Sequence, residues 1–418
     1  MTKNIKLYSY YRMFSYDLFF YYVMSFFYLT TVKGLNVTQI LLLSSAYPLY
    51  KIVLQIPGNN IAQKLGIRKS IITGNVFWVL GIITFILAPN LAVIVFSDIL
   101  FAIGAVLKQI TEPAMLICSL KKEKKEDQYN RIEGSGIGKY FYIETIASIL
   151  AGFLYTINPH LPYILGTIMS IVSLILATQF EEVNEVTTQE YTSFREYLSD
   201  LKCSIKNVVK KRRLQALMLY SSIFMGFIGI STCYYKNMLT NLGMSAANFG
   251  IVFALLTTIQ GIACQRQYIV ERKTKNKTLT WTGLSFTAIF ILIGLLSASK
   301  LETTLLIPLV VILLVTQKIV EGTYQISMNK YMVNFTTPST ITAVLTSANL
   351  FNNIGSSLVM FFGALVLDNT NMSLGYILVG SLGFIAISLI LLFMKTRVGL
   401  TPEEYTDYID DDMKVANQ

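Results

Sequence analysis

The chain has 418 residues, of which 53% are hydrophobic and only 14% charged, well short of the roughly one quarter charged in soluble domains. Such a composition describes a membrane-embedded protein and leaves no room for a soluble domain of useful size. The formal net charge of +10 does not mark a nucleic-acid partner, because the basic residues are segregated along the chain in a pattern that reports topology.

Apolar runs of about 20 residues, each long enough to cross the bilayer as a helix, are predicted at 9–32, 38–57, 70–89, 91–117, 135–157, 161–179, 214–235, 246–265, 279–298, 303–329, 339–366 and 373–394. The opening "MTKNIKLYSYYRMF" carries two lysines but leads to no short apolar core with a small-residue cleavage site. A retained first helix is therefore expected. The stretch "NNIAQKLGIRKSIITG" at 59–74 reads as a hairpin between spans two and three, with Gly66 permitting the turn. The longest interruption, 180–213, starts acidic and ends with Lys210, Lys211, Arg212 and Arg213. Its Phe194, Tyr197, Leu198, Leu201 and Ile205 fall at helical spacing, as in an amphipathic helix lying on the membrane surface. The expected organisation is a first six-helix bundle at 1–179, a linker at 180–213, a second bundle at 214–395 and a solvated acidic tail at 396–418.

Loops and termini on the side of the N-terminus hold 26 of the 34 Lys and Arg residues, while the opposite loops hold only Lys33, Lys236 and Lys300. Both termini are therefore read as cytoplasmic, in a multi-pass protein of a bacterial-type cell (cytoplasmic) membrane. The four cysteines are scattered without a Cys-x-x-Cys pair, and His160 is the single histidine. No metal site and no cofactor are expected.

Three residue pairs recur at an offset of 209: Thr73-Gly74 with Thr282-Gly283, Glu112 with Glu321, and Glu144 with Asn353. Together with the central linker they suggest two related halves, a parallel repeat found in one large class of secondary transporters. Ten ionisable residues fall inside the spans: Arg12, Asp17, Lys51, Asp98, Lys108, Glu112, Lys139, Glu144, Lys318 and Glu321. Arg12 and Lys139 stand close enough to the ends to snorkel. The other eight, at roughly 2.5–3.5 kcal/mol each if they faced lipid, must face protein or water. Spans three, six, nine and twelve carry no ionisable residue, which suits an outer scaffold around a polar centre.

The whole chain resembles the major facilitator superfamily, whose loop after span two reads Gly-x-x-x-Asp-Arg/Lys-x-Gly-Arg/Lys-Arg/Lys. Lys64, Gly66 and Arg68 match and Lys69 follows, whereas Asn59, Gln63 and Ile67 depart from the pattern. The resemblance implies an all-α membrane protein of twelve transmembrane helices in two pseudo-symmetric six-helix bundles. It also implies a cytoplasmic gate latched by this loop, whose aspartate, here Gln63, contacts the start of span eleven. The bland reading of the hairpin is a loop that only sets topology. The family's antiporter signature in span five, a glycine-rich run with a Gly-Pro pair, is absent from "GKYFYIETIASILAGFLYT".

Lys108 and Glu112 are four apart on span four, and Lys318 and Glu321 three apart on span ten, so each pair shares a helix face. With Lys64, Gly66, Arg68 and Lys69 they form the candidate cytoplasmic gate; the alternative is static charge neutralisation. Asp17 and Glu144 lie about nine residues into their helices. A carboxylate held from water at that depth favours its protonated form, which makes these two the candidates for proton coupling. The alternative is a permanent partner such as Arg12 or Lys139. Gln260, Asn349, Asn352 and Asn353 are uncharged amides at mid-span that either line a substrate cavity or link helices. The tyrosine-rich clusters at 8–11 and 19–22 read as interface belts and packing.

The resulting expectation is a secondary active transporter moving a small organic solute by alternating access, with proton-coupled export favoured over uptake because aromatic and apolar residues dominate the cavity. The expected partners are a small-molecule substrate, the lipid bilayer and protons, for a monomeric carrier with no nucleic acid. A nutrient uptake carrier and a transport-inactive sensor are the alternatives. An enzyme is disfavoured because no Ser/His, Cys/His or metal constellation is present, and no Gly-rich phosphate loop suggests ATP-driven work.

Overall fold

The computed structural model describes residues 3–125, 128–183, 212–274, 277–299, 301–334 and 341–395. The expected linker helix, the acidic tail, the start of span eleven and the side chain of Gln63 lie outside the described residues. Every regular element among those described is helical. Eleven helices are long and apolar enough to cross a membrane.

The expected first span, 9–32, is not one of them. It divides into α1 (Lys3–Ser15), α2 (Tyr21–Phe27) and a π-helical turn at Tyr28–Val32. The chain turns between α1 and α2 through Phe20, whose φ of 64° is left-handed, and the Leu18 N–H bonds the Asp17 carboxylate at 2.9 Å instead of continuing the helix. Broken backbone at membrane depth persists only where protein or water satisfies it, and here Lys108 does so by donating to the Ser15 carbonyl. The remaining elements of the first half are α3 (Val37–Leu65), α4 (Ile67–Leu87), α5 (Leu91–Lys122), α6 (Tyr129–Ile157) and α7 (Leu161–Thr178). The second half holds α8 (Arg212–Asn241), α9 (Ala246–Gln265), the short α10 (Gln267–Thr274), α11 (Thr278–Ala298), α12 (Thr303–Asn334), α13 (Ile341–Asn369) and α14 (Met372–Lys395).

Local chemistry sets the ends. Asn90 caps α5 by accepting the Val93 N–H at 3.1 Å, as an N-cap side chain should. Lys33 donates to the Ile86 and Ala88 carbonyls at the end of α4, at 2.8 and 2.7 Å, where a cation meets the negative pole of the helix. Between α3 and α4 stands the single residue Gly66, with φ 81°, a conformation that favours glycine.

Two compact units emerge: Met1–Asn36 with Ala46–Tyr197 and Met244–Ala254, and Val37–Ser45 with Leu198–Gly243 and Leu255–Gln418. Within the first, α1 packs against α6 and α7, and α4 lies along α5 and α7. Within the second, α8 packs against α13 and α14, and α11 lies along α12 and α14. These are the same pairings displaced by one half, as the 209-residue offset requires. The scaffold helices are inside-out relative to soluble ones. Ile164, Ile168, Ile171 and Ile175 of α7 are exposed, forming an apolar outer stripe, while Gly166, Ser170, Ser173 and Ala177 are buried. Small residues on the packed face are how membrane helices approach closely.

Candidate functional site

The break after α1 gathers charge around it. Lys108 of α5 is 3% exposed; its Nζ donates to the Ser15 carbonyl, the last of α1, at 2.7 Å. The same ammonium lies 3.1 Å from the centre of the Trp78 ring, a cation–π contact strengthened by desolvation. It is 3.7 Å from Glu112, one turn on. So the first candidate gate pair holds a helix end as well as its acid.

Glu112 is the centre of a larger network. Its Oε1 accepts from the Tyr11 hydroxyl at 2.6 Å and its Oε2 from Arg12 Nη1 at 2.5 Å. Arg12 Nε donates to Glu133 Oε1 at 2.8 Å. Asn75 of α4 donates to the Tyr11 hydroxyl at 2.8 Å, and accepts from Ser173 of α7 at 2.8 Å. Two cations and two carboxylates thus neutralise one another across α1, α5 and α6, with neutral groups from α4 and α7 completing the bonds. Arg12, expected to snorkel, instead turns inward: its side chain is 16% exposed and pairs with both acids. An inward partner outcompetes the interface because an unpaired buried glutamate is so unfavourable.

Asp17 sits in the break itself. It accepts a hydrogen bond from the Tyr22 hydroxyl and lies within electrostatic reach of Lys108 and Lys51. Asp17 and Glu144 both act on Tyr140, whose ring packs against Tyr16 and Phe19 at 4.9 and 5.0 Å. Glu144 is 5% exposed, and Ser148 donates to its backbone carbonyl at 2.7 Å. The two candidate coupling carboxylates therefore lie within electrostatic reach of one tyrosine. Of the tyrosines read from sequence as belts and packing, Tyr8 and Tyr11 are fully buried, whereas Tyr10 and Tyr22 are exposed. Asp98 acts on Tyr21, Tyr22 and Tyr47 in the same unit.

The basic hairpin is held differently from the pairs inside. Glu182, just past α7, accepts the Arg68 backbone N–H at 3.1 Å, and Arg68 Nη2 donates to the Thr178 carbonyl at 2.7 Å. A carboxylate at the start of α4 complements its positive pole. Lys64 and Lys69 are exposed. One residue earlier, Asn4 clasps the backbone of Glu181 through 2.9 and 2.8 Å bonds, and Phe180 packs on Tyr11 at 5.0 Å.

In the second unit Lys318 Nζ meets Glu321 Oε2 at 2.6 Å, and Gln260 Nε2 donates to Glu321 Oε1 at 2.9 Å. A candidate cavity residue and the second candidate gate pair thus form one cluster. Gly322 makes it possible: a Cβ there would lie 2.6 Å from the Gln260 carbonyl. On α13 Asn349 is exposed, while Asn352 and Asn353 are half-buried. The Asn352 Oδ1 is enclosed without a hydrogen-bond partner among the described residues.

Sequence reasoning did not single out Asn75, Ser173, Glu133 or Glu182, and it read Tyr11 only as one of a cluster. Tyr11 had a signal, since Tyr220 stands 209 positions later and bonds the Leu279 carbonyl and the Thr282 hydroxyl at 2.8 and 3.3 Å. Among the described residues no group of three or more His, Cys, Asp or Glu could hold a metal ion.

Comparison with known proteins places this geometry. The family model described as Major Facilitator Superfamily matches residues 13–314. A curated relative, the uncharacterized MFS-type transporter YxaM of Bacillus subtilis (strain 168), is 21% identical over 225 residues, 53% of this chain. That match spans 55% of the relative's own length. Among solved structures, the nucleoside transporter NupG superposes with a TM-score of 0.70 at 12% identity, covering 94% of this chain and 98% of that one. A POT family transporter in complex with 5-aminolevulinic acid gives 0.71 at 14% identity, covering 94% and 96%. At these identities the likeness concerns the fold.

Proposed function

This chain belongs to the major facilitator superfamily, and from that premise we propose that it is a secondary active carrier exporting a small organic solute against an inward flow of protons by alternating access. The solved relatives handle nucleosides and peptides, small polar organics of the class intended here. The observation that carries the reading is the broken first helix, with Asp17 at the break and Lys108 on the Ser15 carbonyl. Discontinuous helices are where such carriers bind substrates and coupling ions.

Protonation of Asp17 removes its attraction for Lys108 and Lys51, leaving Lys108 to Glu112 and the helix end. The break is the element free to reorient, and Glu144 passes or stores a proton across Tyr140. Lys108–Glu112 and Lys318–Glu321 act as gate pairs that reform between states, with the hairpin of Lys64, Gly66, Arg68 and Lys69 guiding the cytoplasmic ends. Asn349, Asn352, Asn353 and Gln260 offer uncharged donors and acceptors to the solute, Asn352 with an acceptor still open. In this reading the carrier works as a monomer in the cytoplasmic membrane, with both termini inside and the broken helix completing twelve spans.

The test begins with a thermal-shift screen of the purified protein against metabolites and drugs, followed by proteoliposome transport of the stabilising compound. An imposed pH gradient should drive accumulation on the side from which protons leave, and exchange should proceed without any gradient. Accumulation indifferent to the gradient would overturn proton coupling, and accumulation on the opposite side would reverse the assigned direction.

A further inference from the structure

In the second unit, at the end where the basic loops lie, a cavity of about 600 Å³ opens between α11, α12 and α14. Lys277 immediately precedes α11 and Lys395 ends α14, so both cations stand at the same end of neighbouring helices. Both are exposed, and neither is among the lysines that form ion pairs within the described residues. The hydroxyls of Thr280 and Ser388 also line the cavity. The wall below is apolar: Leu284 lies seven residues into the chain from Lys277, roughly 10 Å deeper at 1.5 Å per residue, and Leu391 one turn before Lys395.

This is a two-layer surface, cationic and hydroxylated at the rim and aliphatic beneath. A soluble anion has no use for the leucine wall, and an apolar solute has none for the lysines. α11 and α14 are the scaffold helices of the second half, and neither carries an Asp, Glu, Lys, Arg or His between its ends, so the cavity belongs to the lipid side of the bundle. The eight-residue α10 just upstream buries none of its residues and ends in Arg272 and Lys273. Its Tyr268 and Ile269 are exposed, the mixture expected of a helix resting on a membrane surface.

We propose that this cavity is a site for an anionic phospholipid, whose headgroup sits on Lys277 and Lys395 and whose acyl chain runs along Leu284 and Leu391. Basic pockets between helices at the charged membrane face take such headgroups. The lipid holds α11 against α14 and fixes the level of the second unit in the bilayer. The site is separate from the carrier residues and is read without any transport assay.

The test is lipid retention by the full chain in nanodiscs of phosphatidylcholine with phosphatidylglycerol, followed by native mass spectrometry. Wild type should retain phosphatidylglycerol over phosphatidylcholine, and the double variant K277Q/K395Q should lose that preference about tenfold with its unfolding temperature unchanged. Ser388→Trp, which fills the cavity and leaves the charge intact, should lose it as well. A preference that survives K277Q/K395Q would overturn the proposal. So would retention in S388W, which would reduce the effect to general surface charge. Displacement of the lipid by millimolar inorganic phosphate would make a free anion the ligand. Retention appearing only after removal of residues 396–418 would make the acidic tail the occupant. Either of these last results overturns the assignment to lipid.

Discussion

The two units repeat one set of helix pairings yet treat buried charge differently. At matching places the acid is kept, Glu112 in the first unit and Glu321 in the second, while its surroundings change. Position 12 is an arginine and its counterpart 221 a serine; position 108 is a lysine and its counterpart 317 a glutamine. In the first unit Glu112 is shared by Arg12, Tyr11 and Lys108. In the second, Glu321 has a direct 2.6 Å bond to Lys318 from the preceding turn and a neutral bond from Gln260. The vacated positions are filled by neutral bonds, Ser231 to Gln317 at 2.9 Å and Tyr324 to Ser221 at 2.9 Å. Duplication supplied a scaffold, and charge specialised in the half whose first helix is broken. There the lysine is drawn 3.7 Å from its acid because it also holds the end of α1.

This contrast can be broken by substitution. Arg12→Met takes the direct cation from Glu112 and Glu133 at once, leaving Glu112 to Tyr11 and Lys108, and should destabilise the protein by about 3–5 kcal/mol, the typical outcome of removing one partner of a buried pair; thermal unfolding in detergent measures it. Lys318→Met should cost less, about 1.5–3 kcal/mol for one charge-assisted bond, because Gln260 still serves Glu321. Equal losses for the two variants would contradict the distinction between a network and a pair. Gly322→Val sharpens it further: the added carbons collide with the Gln260 carbonyl and should cost about 1–3 kcal/mol, while leaving the first unit's unfolding signature unaltered in hydrogen exchange. The smallest effect is expected at the hairpin. Glu182→Gln weakens only a charge at a helix start, worth about 0.3–1 kcal/mol, and should show as faster exchange of the Arg68 amide with little change in unfolding temperature.

Much of this architecture is legible in the sequence because hydropathy reports the length of a helix and whether it tolerates lipid. The isoleucine stripe of α7 and the charge-free scaffold spans follow from that alone. The break at Asp17 does not, because it depends on Phe20 turning left-handed and on a lysine 93 positions away meeting the Ser15 carbonyl. Span three shows the same limit. It has no ionisable residue, yet Asn75 is 1% exposed and joins α1 to α7. Arg12 is misplaced by depth alone, because closeness to the helix end says nothing about which face it occupies. Glu133 falls just outside the predicted span five and Glu182 within the linker, so neither counts as a buried or docking charge until the helices are set side by side.

The central claim is that the carboxylate at the break carries the coupling proton. It is tested most directly by comparing wild type with Asp17→Asn in proteoliposomes, measuring accumulation driven by a pH gradient alongside exchange of labelled solute at equilibrium. Driven accumulation should be abolished while exchange persists near the wild-type rate. Accumulation by Asp17→Asn equal to that of wild type would contradict it.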